Sequence, residues 1–379
     1  RGSQGSASST CRWSEERATR HPGDFPLRRV FVDQVRSRRQ APGSLENMSE
    51  VTQQSAARTA FQAARDQLDR QVIGQAHLNE RLLIALLCDG HLLVEGAPGL
   101  AKTRAVKCLA ALVDAAFHRI QFTPDLLPSD LTGSDIFRPD EGAFRFQQGP
   151  LFHNIVLADE INRAPAKVQS ALLEAMAERQ ITVGRSTHPL PPLFLVMATQ
   201  NPIEQEGTYP LPEAQLDRFL MHVRVDYPAP EVENEVLRIA RQEAAQLLDG
   251  RHGDQMTTPI LDTSLVDAAR REVLSVHLSD PMEEYVIQLV LATRSPGRYD
   301  ASLEGMVDYG ASPRGGIGLE RCARARAWLA GRDFVIPEDV QAVAHDVLRH
   351  RIIVSYTAEA SGTGSDRFID ALIEQVPVP

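Results

Sequence analysis

The apolar run Leu92-Leu93-Val94 leads into Gly96-Ala97-Pro98-Gly99-Leu100-Ala101-Lys102-Thr103, and a stretch with helical character follows. This order of strand, glycine-rich turn, Lys-Thr and helix is how a chain holds nucleotide phosphates. Backbone N–H groups of the turn point at phosphate oxygens, and the next helix adds roughly half a positive charge there. Lys102 is placed to reach the β- and γ-phosphates, Thr103 to ligate Mg²⁺, and Arg104 stands beside them. The general pattern has glycine before the lysine, where this chain has Ala101. Alanine accepts most dihedrals but disfavours positive φ, so a negative φ is expected at 101. A glycine-rich loop ahead of a helix also arises by chance, so other residues must supply the remaining roles.

Short apolar segments recur at 92–94, 119–122, 155–158, 194–198 and 222–225, with helical stretches near 103–115 and 166–179. Strands alternating with helices predict a doubly wound parallel α/β sheet. Ahead of it, Phe61, Leu68 and Val72 share one helical face, Val72-Ile73-Gly74-Gln75 reads as a turn, and 82–87 as a buried helix. After Pro228-Ala229-Pro230 the strand signal fades. Residues 231–248, 263–276, 281–293, 313–330 and 337–348 read as helices, with Pro313 and Pro337 at first helical positions. Ser365-Asp366 is expected to cap a last helix through Phe368, Leu372 and Ile373. The expected organisation is an extension at 1–47, disordered or non-native, with Met48 near the natural start; an α/β core at 48–228; and a smaller all-α domain at 229–379.

The net charge is −10, but residues 1–50 carry +3, which leaves −13 on the rest. An acidic body is a poor partner for duplex DNA, whose affinity rests on phosphate neutralisation. No apolar run reaches the roughly 18 residues of a membrane helix, and no signal peptide is evident. Cys11, Cys88, Cys108 and Cys322 lack metal-ligand spacing and suit a reducing compartment; Cys88 and Cys108 read as core residues. The cytoplasm is the expected location.

Asn154-Ile155-Val156-Leu157-Ala158-Asp159-Glu160 is an apolar strand ending in two acids. Each carboxylate loses solvation there unless it meets a cation or stays wet. After a phosphate loop, Asp159 reads as the Mg²⁺ holder and Glu160 as the group that polarises the attacking water. The plainer alternative is an exposed strand end entering a loop. Leu193-Phe194-Leu195-Val196-Met197-Ala198-Thr199-Gln200-Asn201 closes a neighbouring strand in amides, and Asn201 suits the γ-phosphate or the lytic water. Alone, Asn201-Pro202 is a turn signal. Arg218, in Asp217-Arg218-Phe219, and Arg314, in Ser312-Pro313-Arg314, are candidate γ-phosphate cations. Most arginines are solvated surface charges; position raises these two above that expectation.

With these residues in place, the chain resembles the MoxR family of AAA+ ATPases. The similar stretches run in order from Val72-Ile73-Gly74-Gln75 through 119–133, Asp159-Glu160-Ile161-Asn162-Arg163-Ala164, 198–202 and 213–219 to 310–314 and Ser355-Tyr356. They cover roughly residues 50–379, and Ala101 is usual in that family. The resemblance makes 96–103 Walker A, Asp159 and Glu160 Walker B, Asn201 sensor 1 and Arg314 sensor 2. It makes Arg218 an arginine finger acting on a neighbouring subunit's nucleotide, and Val72-Ile73-Gly74 the border of the adenine. Residues 125–151, with Phe144 and Phe146, become the helix-2 hairpin insert, and the all-α region the lid. Gly315, Gly316 and Gly318 depart from good helix-forming sequence, at up to about 1 kcal/mol each against alanine, and are expected to loosen the helix of Arg314.

The resemblance implies ATP/ADP and Mg²⁺ as cofactors and a ring homo-oligomer, a hexamer. It also implies remodelling or maturation of client proteins, metal-cofactor insertion among them, with a partner carrying a von Willebrand factor A domain. A small-molecule P-loop kinase, a DNA-associated ring ATPase and a nucleotide-gated scaffold with little turnover are the alternatives. The lack of an acceptor-pocket motif, the acidic body and the intact Asp159, Glu160 and Asn201 count against them in turn.

Overall fold

A computed structural model describes residues 55–202, 207–248 and 258–379. The expected extension at 1–47 lies outside the described residues. In chain order the elements begin with α1 (Ala56–Gln71), α2 (Ala76–Leu87), β1 (Leu92–Gly96), α3 (Lys102–Leu112), β2 (Phe117–Gln121) and α4 (Pro128–Thr132). Then come β3 (Gly133–Arg138), β4 (Ala143–Gln148), β5 (Ile155–Asp159), α5 (Ala166–Glu178), β6 (Gln180–Val183) and β7 (Ser186–Pro189). The sheet is completed by β8 (Leu195–Gln200) and, after α6 (Glu213–Leu216), by β9 (Met221–Val225). The remainder is α7 (Pro230–Leu248), α8 (Thr263–Ser275), α9 (Asp280–Arg294), β10 (Val307–Tyr309), α10 (Pro313–Leu329), α11 (Pro337–Leu348), β11 (Ile353–Val354), α12 (Tyr356–Ala360) and α13 (Ser365–Gln375).

Five strands form one parallel sheet in the order β2-β5-β8-β1-β9. These are the five strands expected from the apolar segments. Their alternate side chains feed two cores. Leu92, Val94, Ile155, Leu157, Leu195 and Met197 pack with α1, α2 and α3 on one face. Leu93, Val156, Ala158, Val196 and Ala198 pack with α5 on the other. Burial on both faces is why β1, β5 and β8 read as apolar runs. Two antiparallel hairpins, β3–β4 and β6–β7, stand off the sheet, and the first is the insert expected within 125–151.

The helical region follows from local chemistry. Asp262 caps α8 by accepting from the Leu265 N–H (2.7 Å), and Ser312 caps α10 from the Arg314 N–H (3.2 Å). The expected cap at Ser365-Asp366 is displaced by one residue: Gly364 is the cap, with no side-chain bond, and Ser365 is the first helical residue. The region also holds the short antiparallel pair β10–β11. Its core is continuous with that under α1, where Phe61 meets Trp328 edge-on at 5.4 Å. Two glycines of α10 have a packing reason. A Cβ on Gly318 would meet Val347 of α11 at 3.0 Å, and one on Gly315 would meet Ala311 at 3.1 Å. Helix α10 is continuous over its 17 residues, and Gly315 and Gly318 permit its close packing, whereas a Cβ on Gly316 would meet Val290 at an ordinary 3.6 Å.

His91, just before β1, is buried and accepts the Val196 N–H on Nδ1 (3.0 Å). Burial, helped by the Arg179 charge, lowers its pKa from 6.5 to about 4. The folded state therefore binds fewer protons than the unfolded state below pH 6.5. Stability is expected to fall by up to roughly 3 kcal/mol as pH drops from 6.5 to about 4. Denaturation midpoints across that window check this, and His91→Gln should lose that part of the slope.

Candidate nucleotide site

The carboxyl ends of the three central strands are level. Glu95 of β1 lies opposite Gln200 of β8, and Ala158 of β5 opposite Ala198. The loop 96–101, the pair Asp159-Glu160 and Asn201 therefore leave the sheet along one edge. Ligands of open α/β sheets bind at such an edge.

Loop geometry begins at Gly96, where a Cβ would sit 2.6 Å from the Val225 carbonyl. Glycine is required there for β9 to run alongside. Ala97 and Leu100 are buried, whereas Pro98 and Gly99 are exposed at the tip. Ala101 then adopts φ 58° and ψ 15°, contrary to the negative φ expected from its side chain. The turn must reverse just before α3 so that the first N–H groups of the helix face the loop, and that requires the left-handed conformation whatever residue occupies it. A left-handed alanine is strained by about 1–2 kcal/mol. Ala101→Gly is expected to raise the melting temperature by about 1–2 °C, read by calorimetry. A lower melting temperature would contradict the strain.

Lys102 opens α3 and donates from Nζ to the Gly96 carbonyl (2.6 Å). Burial lowers its pKa, and the charges of Asp159, Glu160 and Glu95 oppose that shift. The ammonium thus lies within electrostatic reach of both acids at the end of β5. Thr103 and Arg104 follow on the first turn of α3, both half-buried.

Thr199 Oγ1 donates to Asp159 Oδ1 (2.5 Å) and accepts the Glu160 N–H (2.9 Å). Asp159 Oδ2 accepts from Arg119 Nε (3.0 Å) and Nη2 (2.5 Å). Glu160 Oε2 accepts from Gln121 Nε2 (2.7 Å) and pairs with Arg163 Nε (3.1 Å). Glu160 is itself left-handed, at φ 58° and ψ 50°. Backbone of this kind is sparsely populated and clusters at functional sites. Asn201 is buried just beyond β8. A hydroxyl and a carboxylate, Thr103 and Asp159, make the hard-oxygen donor set that suits Mg²⁺ alongside phosphate oxygens.

The turn expected to border an adenine sits at the side of this edge. Val72 is buried, Gln75 Nε2 donates to the Asp226 carbonyl (3.4 Å), and a Cβ on Gly74 would meet Val232 at 2.7 Å. Ile73 between them is half-buried. The two candidate arginines contact α5 and Asp217. Arg218 is exposed and donates to the Leu173 carbonyl of α5 (2.7 Å). Arg314 is 60% exposed and lies 3.6 Å from Asp217.

Reasoning from sequence missed Arg119, Gln121, Thr199, Glu95, Asp217 and Arg351. Glu95 pairs with His222 (3.0 Å), and that pairing, with Arg224, lowers its pKa to about 2. Arg224 passes the connection to Asp366 of α13 (2.6 Å). Asp217 accepts from Arg351 Nε (2.8 Å) and Ser312 Oγ (3.0 Å), tying the end of α6 to the cap of α10 and to the segment after α11. Arg119 and Gln121 share one face of β2, but nothing in the local sequence sets the acids of β5 beside that strand.

Comparison with known proteins agrees with this architecture. Residues 91–221 match the family described as "ATPase family associated with various cellular activities (AAA)", and residues 301–372 match the AAA lid domain. The chain is 44% identical over 319 residues to the chaperone MoxR1 of Mycobacterium tuberculosis, covering 83% of this chain and 81% of that protein. It is 35% identical over 334 residues to the protein MoxR of Paracoccus denitrificans, covering 84% and 96%. The crystal structure of a candidate ATPase from Cytophaga hutchinsonii superposes with a TM-score of 0.77 at 46% identity, covering 85% and 96% of the two chains. The fold and site define a AAA ATPase with its lid. The chain belongs to the MoxR family of AAA+ ATPases.

Proposed function

We propose that this chain binds MgATP along the 96–104 segment and hydrolyses it between the subunits of a ring, as a chaperone-like remodeller of client proteins. The observation that supports this best is the level strand edge, which brings Lys102, Asp159, Glu160 and Asn201 to one place. Backbone N–H groups of the loop bind the phosphates, and Lys102 exchanges its Gly96 carbonyl for phosphate oxygen. Thr103 and Asp159 would hold Mg²⁺, which would supply neutralisation of phosphate charge. Glu160 orients the attacking water and takes its proton, and Asn201 fixes the water or the γ-phosphate. Arg218 of a neighbouring subunit and Arg314 from the lid bring the cations that phosphoryl transfer needs. The turn 72–74 borders the adenine.

The ring, a hexamer, is supported by family membership and by the exposure of Arg218. The client, matured or supplied with a metal cofactor, and a partner with a von Willebrand factor A domain rest on family membership alone. The organisation proposed is a core at 48–228 and a lid at 229–379. Among the described residues no helix is long and apolar enough to cross a membrane. A cytoplasmic setting fits the thiols of Cys88 and Cys322. Steady-state phosphate release from MgATP tests the reading. A chain that binds ATP without turnover would be the nucleotide-gated scaffold instead, and turnover stimulated by DNA would favour a DNA-associated ring.

A further inference from the structure

Asp159 Oδ2 is held by a cation of the protein itself. Arg119 reaches it with two nitrogens, at 3.0 Å from Nε and 2.5 Å from Nη2. Asp159 Oδ1 is occupied by the Thr199 hydroxyl. Arg119 sits on β2, at the rim of the sheet, and its Cα lies opposite Leu157. The side chain therefore extends along the strand direction to reach the acid. Nη2 also donates to Gln121 Oε1 (2.9 Å), and Gln121 Nε2 donates to Glu160 Oε2 (2.7 Å). Both acids at the end of β5 are thus held by one side-chain chain from the neighbouring strand.

Two features make this pair displaceable. Arg119 is 48% exposed at its side chain, so the guanidinium can turn into water without leaving a buried charge. A divalent cation approaches carboxylate oxygen to about 2.1 Å, and a guanidinium bonded to that same oxygen would face it as a like charge.

We propose that Arg119 is a positioning residue that competes with Mg²⁺ for Asp159, and so sets the free Mg²⁺ at which the site engages metal. It keeps Asp159 in place until the metal takes the carboxylate, and it releases Gln121 as it leaves. This rests on the MgATP reading above.

The test is binding of a fluorescent ADP derivative to the full chain, with free Mg²⁺ titrated and with a parallel series in EDTA. Arg119→Gln is expected to lower the half-saturating Mg²⁺ about threefold to fivefold, the factor available from an exposed ion pair. Its affinity in EDTA should stay within about twofold of wild type, because the competition concerns the metal. Arg119→Lys, which keeps the charge, should titrate close to wild type and controls for folding. An unchanged or raised Mg²⁺ midpoint in Arg119→Gln overturns the inference. An equal shift in EDTA also overturns it, since Arg119 would then contact nucleotide. If the wild-type chain binds no nucleotide at all, the MgATP reading falls and this inference falls with it.

Discussion

Glu160→Gln is expected to bind ATP like the wild-type chain and to hydrolyse it at least about 100-fold more slowly. Glutamine keeps the length of the side chain, and it can still bond to Gln121, which now contacts Glu160 Oε2 at 2.7 Å. The backbone asks nothing of the carboxylate, since the contact that holds position 160 is its own N–H to Thr199 (2.9 Å). What is lost is the proton acceptor, and general-base catalysis is worth about 10²–10⁴-fold. Phosphate release paired with nucleotide binding separates the effects. Turnover within tenfold of wild type would remove Glu160 from the role of base.

Arg218→Ala is expected to keep nucleotide binding and to lose about 10³-fold or more in turnover, the scale of an arginine finger. In this structure the guanidinium is exposed and rests on the Leu173 carbonyl of α5. Little folding energy is at stake, because one exposed hydrogen bond contributes about 1 kcal/mol. The decisive measurement mixes Arg218→Ala with Lys102→Ala. One variant then contributes an intact loop and the other an intact arginine, so interfaces between them should regain turnover. A mixture as inactive as its parts would mean that Arg218 does not act across an interface.

Strands β1, β5 and β8 were legible because burial on both faces leaves continuous apolar runs such as Ile155-Val156-Leu157-Ala158. The phosphate loop and the paired acids were legible because their residue types are dictated by chemistry. Ala101 was misread because the handedness of a turn belongs to the backbone path, and the side chain tolerates it at a cost. Arg119 and Thr199 were missed for another reason. Their contacts with Asp159 depend on β5 lying between β2 and β8, an order that no local pattern carries. Arg351 meets Asp217 across 134 residues, which is equally invisible locally. Gly315 and Gly318 were misjudged because helix propensity omits the neighbour: Gly318 lies 3.0 Å, measured from an added Cβ, from Val347.

The junction at Asp217 has a consequence for timing. Asp217, at the end of α6, accepts from Ser312 and Arg351 of the lid, and Arg218 is the next residue along the backbone. A lid that shifts when its own nucleotide changes would pull on Asp217 and carry Arg218 with it. In a ring, the state of one pocket would then regulate the firing of the pocket next door.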